Sequence, residues 1–330
     1  MTLATRTVLD DEADIRLDRW FRRHFPGVPQ SVIQKLCRTG QVRVDGKRVE
    51  AAARLNPGQA IRIPPLPITP VVKPHLRIDP ALIREIEGMI LYQDEHVIVL
   101  NKPYGLPVQG GPGISRHVDG MLDGLRGEDE PRPRLVHRLD RDTTGLLLIA
   151  RTPGSAAKLA AAFRSRDMEK TYWAIVAGRP IPVEGVIDLP LKRFDGDRGE
   201  RTAPAARDDE DAARAITEFR TIDHAAQKLA WLELKPHTGR THQLRVHCVA
   251  IRAPILGDTK YARPDQNNAF AAIIKGLPDK LHLHARALTL PHPAGGVLRM
   301  EAELPPHMVE TFATLGFMAS PALPPRREGR

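Results

Sequence analysis

The chain has only two cysteines in 330 residues, Cys37 and Cys248, and they lie far apart. A disulfide framework and a thiolate metal cluster are both excluded by that scarcity, which suits a reducing cytosol. Aromatic residues are thin at 5%, so the core must come from the aliphatic majority of the 42% hydrophobic content. No apolar run approaches the ~20 residues that span a bilayer, and Met1 to Asp14 has no apolar centre of signal-peptide type. A cytoplasmic protein without a membrane partner is therefore expected. The glycine-rich stretch Gly105 to Gly113 lacks a Gly-Lys-Ser/Thr ending, which argues against a phosphate-binding P-loop. His237, His242 and His247 are spaced by five, which spreads them around a helix, so no metal site is expected.

Positive charge is what the chain has in excess. Its net charge is +9, and between Asp14 and Ile63 eleven basic residues face four acidic ones, leaving +7 in this short piece. Charge so concentrated is the footprint of a phosphate-backbone surface, with Arg16, Arg19, Lys35, Arg38, Arg43 and Lys47 as its candidate contacts. Leu17, Trp20, Phe21 and Phe25 recur at helical spacing, Ser31 can cap a second helix, and Gly40 ends it. Gln41 to Val44 alternates as a strand into an Asp45-Gly46 hairpin turn, and Gly58 to Ile63 closes the unit. The prolines from Pro64 to Pro80 then predict an extended linker and two domains. The expected boundaries are a flexible N-terminus over 1–13, a basic module over 14–64, a linker over 65–85, a main domain over 86–310 and a largely disordered tail over 311–330.

In the main domain, His137-Arg138-Leu139-Asp140-Arg141-Asp142-Thr143-Thr144-Gly145 runs into the apolar strand Leu146 to Ala150. Charges at a buried strand end must meet each other, solvent or a ligand. Asp142 reads as structural, pairing with Arg141 or capping the loop. Thr152-Pro153 starts a helix with proline at its first position, and Lys170 to Gly178 is the next strand. If these two strands are parallel neighbours, Asp140 and Tyr172 meet at one sheet edge. From Phe194 to Arg214 the chain is charged and aperiodic, which predicts a mobile hairpin tip or a disordered insertion. Thr238 or a neighbour can cap a helix that places Thr241, His242 and Arg245 on one face, with Leu244, Cys248 and Ile251 on another. Arg240 beside that helix start makes an anion site.

Four segments in order, Asn101 to Leu106, His137 to Gly145, Lys170 to Gly178 and His237 to His247, resemble the RluA family of pseudouridine synthases over roughly residues 86–305. The basic module resembles the small RNA-binding module first seen in a small-subunit ribosomal protein, and Gln109 to Gly113 is similar to the loop of the RluC type, which modifies 23S ribosomal RNA. The resemblance implies an α+β catalytic domain on a long mixed, mostly antiparallel sheet flanked by helices. It also implies Asp140 as the catalytic carboxylate, Tyr172 stacking on the target uracil and Arg245 pairing with Asp140. Arg138 would fill the gap left by a flipped nucleotide, with His137, Arg240 and His242 as further substrate contacts. Pseudouridine formation is an isomerisation without redox change or group loss, so no cofactor is expected. The expected partner is 23S ribosomal RNA, free or in an assembling large-subunit particle, with the chain a monomer by default. The alternatives are the same chemistry on transfer RNA and a non-catalytic ribosome-assembly factor.

Overall fold

The structure is a computed structural model that describes residues 4–25, 28–66, 78–111, 113–127, 130–165, 167–196, 199–226, 228–262 and 276–328. It divides into two units, Met1–Arg77 and Ile78–Arg330. The expected linker prolines from Pro67 to Pro74 fall outside the described residues. The last part of that segment is not linker: Asp79 caps helix α3 (Pro80–Glu87) and Pro80 opens it, where a missing N–H costs nothing.

The first unit holds β1 (Ala4–Thr7), α1 (Leu17–His24), α2 (Gln30–Arg38), β2 (Arg43–Val44), β3 (Lys47–Arg48) and β4 (Ala60–Ile63), with sheet order β1-β4-β2-β3. Leu17, Trp20, Phe21, Ile33, Leu36, Val44 and Ile61 make its core. Asp45 and Gly46 both have positive φ, as the two-residue turn between β2 and β3 requires. Two expectations are corrected. Residues 4–13 are ordered: β1 pairs with β4, and buried Glu12 accepts hydrogen bonds from Trp20 Nε1 at 2.9 Å and the Leu9 amide at 3.1 Å. Nothing apolar alternates in Ala4–Thr7, so its pairing left no trace in the sequence. Ser31 is not a cap either, because α2 begins a residue earlier behind Pro29 with no side-chain cap.

The second unit adds β5 (Ile90–Gln93), β6 (Val97–Lys102), α4 (Val118–Met121), β7 (Arg134–Leu135), β8 (Thr144–Ala150), α5 (Pro153–Ser165), β9 (Glu169–Ala177), β10 (Glu184–Asp188), β11 (Leu191–Gly196) and β12 (Gly199–Pro204). Then come β13 (Ile216–Ala225), β14 (Leu229–Pro236), α6 (Gln243–Ala250), β15 (Leu283–Pro291), β16 (Val297–Glu301), α7 (Pro306–Leu315) and β17 (Arg326–Glu328). The main sheet runs β10-β13-β14-β9-β15-β8-β6-β5, with β7 beside β8, β16 beside β15 and β17 beside β16. Among the described residues only the β15–β8 pair is parallel, so the sheet is mixed and mostly antiparallel. Every residue of β8 is buried, and Leu146 to Ile149 join α5 residues Leu159 and Ala162 in one core; full burial of each such leucine or isoleucine contributes about 1.5–3 kcal/mol. Strand β9 alternates, sending Ala174 and Val176 toward α6 and Ile175 toward Trp231 and Phe312.

Two further expectations change and one is narrowed. Strands β8 and β9 are not neighbours, since β15 lies between them and β9 runs antiparallel to it. Of the two readings of Phe194 to Arg214, the hairpin holds and the disordered insertion does not: β11 and β12 pair, and Lys192 holds Asp209 and Asp211 in the turn that follows. The tail is partly built into the fold, with Phe312 and Phe317 buried against Trp231 and β17 paired with β16. The prolines there mask a ten-residue helix whose apolar face supplies that cover.

Candidate active site

Strands β7 and β8 pair antiparallel, so residues 136–143 are the loop of a hairpin, and Asp140 sits in that loop. Three anchors fix it. His137 Nε2 accepts the Leu148 amide at 2.8 Å while its ring packs on Phe163. Lys102 Nζ, fully buried, donates to the carbonyls of Pro103, Leu106 and Arg141 at 2.9–3.0 Å. The Thr143 amide donates to the Asp140 carbonyl at 3.2 Å. Burial pulls Lys102 down to about 7, opposed by Asp142 and Asp140. The three carbonyls take all three donors of an ammonium, which further favours the charged form.

Register carries the loop to its partners. Lys102, Gly145, Ala285 and Tyr172 form one row across β6, β8, β15 and β9. Tyr172 therefore reaches the same cleft as Asp140 through an intervening strand. Gly145 makes the row possible: its φ is +102°, and a Cβ there would stand 2.3 Å from the Ala285 carbonyl oxygen. Gly145→Ala is expected to cost on the order of 3 kcal/mol in denaturant unfolding; a variant as stable as the parent would show that the strands can part there.

The cleft is about 370 Å³, within the usual ~300–1,000 Å³ of ligand sites, and Arg138, Asp140, Lys170, Tyr172, Arg240, His242 and Arg245 are among its lining residues. Asp140 Oδ2 lies 3.9 Å from Arg245 Nη1 and 3.9 Å from His242 Nε2. Burial raises the Asp140 carboxyl above its ordinary range, and Arg245 and Arg138 offset this only in part. Tyr172 is raised as well, by burial and then by the charge of Asp140, so its phenol stays protonated. Arg245 lies on α6, which begins at Gln243 because His242 takes a left-handed φ of 52°. Thr238 is no cap for that helix; its hydroxyl serves the Ile216 amide and Gln243 Oε1 instead.

Residues 96–250 match the RNA pseudouridylate synthase family and residues 15–61 match the S4 domain. The chain is 37% identical over 302 residues to ribosomal large subunit pseudouridine synthase C of Escherichia coli strain K12, covering 89% of this chain and 91% of that one. It is an RNA pseudouridylate synthase. The same-named protein of Vibrio cholerae is 34% identical, covering 93% of this chain and 95% of that one. The solved structure of human RNA pseudouridylate synthase domain containing 4 superimposes with a TM-score of 0.60 at 31% identity, covering 72% of this chain and 96% of that one.

In this synthase the structure gathers Asp140, Tyr172, Arg245, Arg138, His137, Arg240 and His242 around one cleft, but not all in the expected manner. Arg245 has Asp258, not Asp140, as its principal partner, with Nε and Nη2 on the two carboxylate oxygens at 2.8 and 2.6 Å. His137 is spent on the strand amide rather than offered to a ligand. Burial drives it down to about 3, and His282 and His284 to about 4. These three stay neutral in the fold while their unfolded counterparts protonate near 6.5, so the stability they give is full above that pH and lost as pH falls toward 4. Melting temperature is expected to drop steadily from pH 7 to pH 5, and a flat profile would contradict this. Arg240 is exposed, with its amide held by Gln243 Oε1 and its Nε on the Arg214 carbonyl.

On the S4 domain, Arg19, Lys35, Arg38, Arg43 and Lys47 are exposed, whereas Arg16 is half-buried and paired with Asp18 at 2.8 Å. Sequence reasoning missed Asp258, Tyr261 and Lys102 as parts of the site. For Asp258 the signal was indirect: an arginine on an apolar helix needs a buried carboxylate, and Gly257-Asp258 follows that helix. A Cβ at Gly257 would lie 1.9 Å from the Lys280 carbonyl oxygen, so that turn admits only glycine.

Proposed function

We propose that this pseudouridine synthase acts on uridines of 23S ribosomal RNA, as a cytoplasmic monomer working on the assembling large-subunit particle. The reaction breaks the bond from the ribose to the ring nitrogen, turns the base and joins a ring carbon to the same ribose carbon. The observation that carries the assignment of roles is Asp140: its carboxylate opens into the cleft, 3.9 Å from two cationic or N–H groups and bonded to neither. Asp258, by contrast, is saturated by Arg245 and two backbone amides.

Asp140, once ionised, is the nucleophile or base of the reaction, with the Arg245 guanidinium to balance its charge and a ring nitrogen of His242 facing it. Tyr172, half-buried and protonated, offers the flat face on which an extruded base stacks. Arg138, exposed at the rim beside Asp140, has the reach and the planar guanidinium to stand in for the extruded base. A non-catalytic RNA binder would gain nothing from a carboxylate in a cleft that faces phosphates.

The S4 domain supplies affinity. Replacing Lys35, Arg38 and Lys47 together by glutamine is expected to weaken RNA binding and to reduce its salt slope by about one unit per lost phosphate contact. An unchanged slope would remove these residues from the interface. The substrate is tested by chemical mapping of pseudouridine in RNA from cells lacking the protein. Sites lost from 23S ribosomal RNA support the proposal, and losses confined to transfer RNA overturn it.

A further inference from the structure

The β11–β12 hairpin is linked to the site through Tyr261. Its base packs on α6, with Leu191, Val246 and Tyr261 in a small cluster. Strand β12 is an edge strand, and its Thr202 amide donates to Tyr261 Oη at 3.0 Å. The same hydroxyl lies 2.6 Å from His242 Nδ1. Asp258 fixes Tyr261 from below by accepting its amide at 3.1 Å, and Arg245 lies over its ring with Cζ 5.1 Å from the centroid. The far nitrogen of His242, Nε2, faces Asp140 Oδ2 at 3.9 Å.

The donors order this chain. A hydroxyl has one proton and two lone pairs; with the Thr202 amide donating to one lone pair, the arrangement in which Oη gives its proton to His242 Nδ1 at 2.6 Å uses the hydroxyl as both acceptor and donor. An imidazole that accepts at Nδ1 carries its own proton on Nε2, the nitrogen turned to the carboxylate. We infer that Tyr261 is a positioning residue that couples the seating of the β11–β12 hairpin to the tautomer of His242, and so to the donor presented to Asp140. The inference deepens, and rests on, the reading of Asp140 as the catalytic carboxylate. RNA that seats or lifts the hairpin would then tune the site without touching it.

Two measurements on the full chain test this. The first is nitrogen NMR of isotope-labelled histidine, with His242 assigned by the signal lost in His242→Gln. The expected result is a neutral ring protonated at Nε2 in the parent and a mixture of tautomers in Tyr261→Phe, which keeps the ring and removes only the hydroxyl. A parent ring protonated at Nδ1, or populations unchanged in Tyr261→Phe, overturns the inference. The second is single-turnover isomerisation with a parallel RNA-binding measurement. Tyr261→Phe is expected to slow turnover roughly tenfold, the scale of one lost hydrogen bond, with affinity unchanged. Thr202→Pro deletes the amide donor at an edge position and should slow the parent similarly, yet add nothing in the Tyr261→Phe background. Additive losses, or a loss of affinity without loss of rate, overturn the coupling. A parent that never isomerises RNA overturns the assignment of Asp140, and the tautomer measurement still decides the hydrogen-bond chain.

Discussion

Asp258→Ala is expected to destabilise the catalytic domain by about 3–5 kcal/mol, the cost of leaving a buried charge without its partner. Asp258 is fully enclosed and Arg245 nearly so, and their paired contacts are the shortest ionic ones in the cleft. The change also has a chemical effect. Asp140 is the next carboxylate in reach of Arg245, at 3.9 Å, and an unpaired guanidinium will close on it. The reactive carboxylate is then held in an ion pair, its pKa falls and turnover drops although Asp140 is intact. Arg245→Met in the Asp258→Ala background should restore most of the stability and none of the activity, which calorimetry and single-turnover assays separate. Equal unfolding midpoints for parent and Asp258→Ala would show that the pair contributes nothing.

Asp140→Asn is expected to lower turnover on the order of 10⁴-fold or more and at the same time to raise the melting temperature at neutral pH. The second effect follows from the direction of the carboxyl's shift. Burial raises the folded-state pKa above the unfolded one, so the folded protein holds the proton more tightly. Stability from this group is complete below the ordinary carboxylate pKa of 3.8 and is lost as pH rises through the raised value. At neutral pH the ionised side chain is a burden on the fold, and an amide of the same shape removes it. Melting curves for the two proteins should therefore diverge above about pH 4 and converge below it. A variant less stable than the parent at pH 7 would mean that Arg245 and His242 hold the charge more firmly than their distances indicate.

The contrast between Asp140 and Asp258 also shows what could be read from the chain. The Arg138–Gly145 run stood out because charge was placed at the mouth of a fully apolar strand, and the strand, its helix and the short basic unit followed from periodicity. The row that joins Lys102, Gly145, Ala285 and Tyr172 could not be read, because β15 enters the sheet from more than a hundred residues downstream. Pairing at that distance depends on register, which leaves no local pattern. The partnership of Arg245 was misjudged for a related reason. Spacing places Arg245 on the right face of its helix, but which of two carboxylates it meets is settled by a glycine turn at 257. Ala4–Thr7 and Arg326–Glu328 were missed because edge strands need no apolar alternation. The hairpin at 191–204 could be read only as one of two alternatives, because its few buried residues, Leu191 and Thr202 among them, are scattered among charges.

The central claim is that Asp140 carries out uridine isomerisation in the cleft it shares with Tyr172 and Arg245. Its most direct measurement is single-turnover tritium release from 23S ribosomal RNA labelled at the ring carbon that becomes glycosidic, comparing the parent with Asp140→Asn at equal RNA occupancy. The expected result is release by the parent and none by Asp140→Asn, with the two binding the RNA equally well. Release by Asp140→Asn at the parent rate, or tight binding by the parent without release, would contradict it.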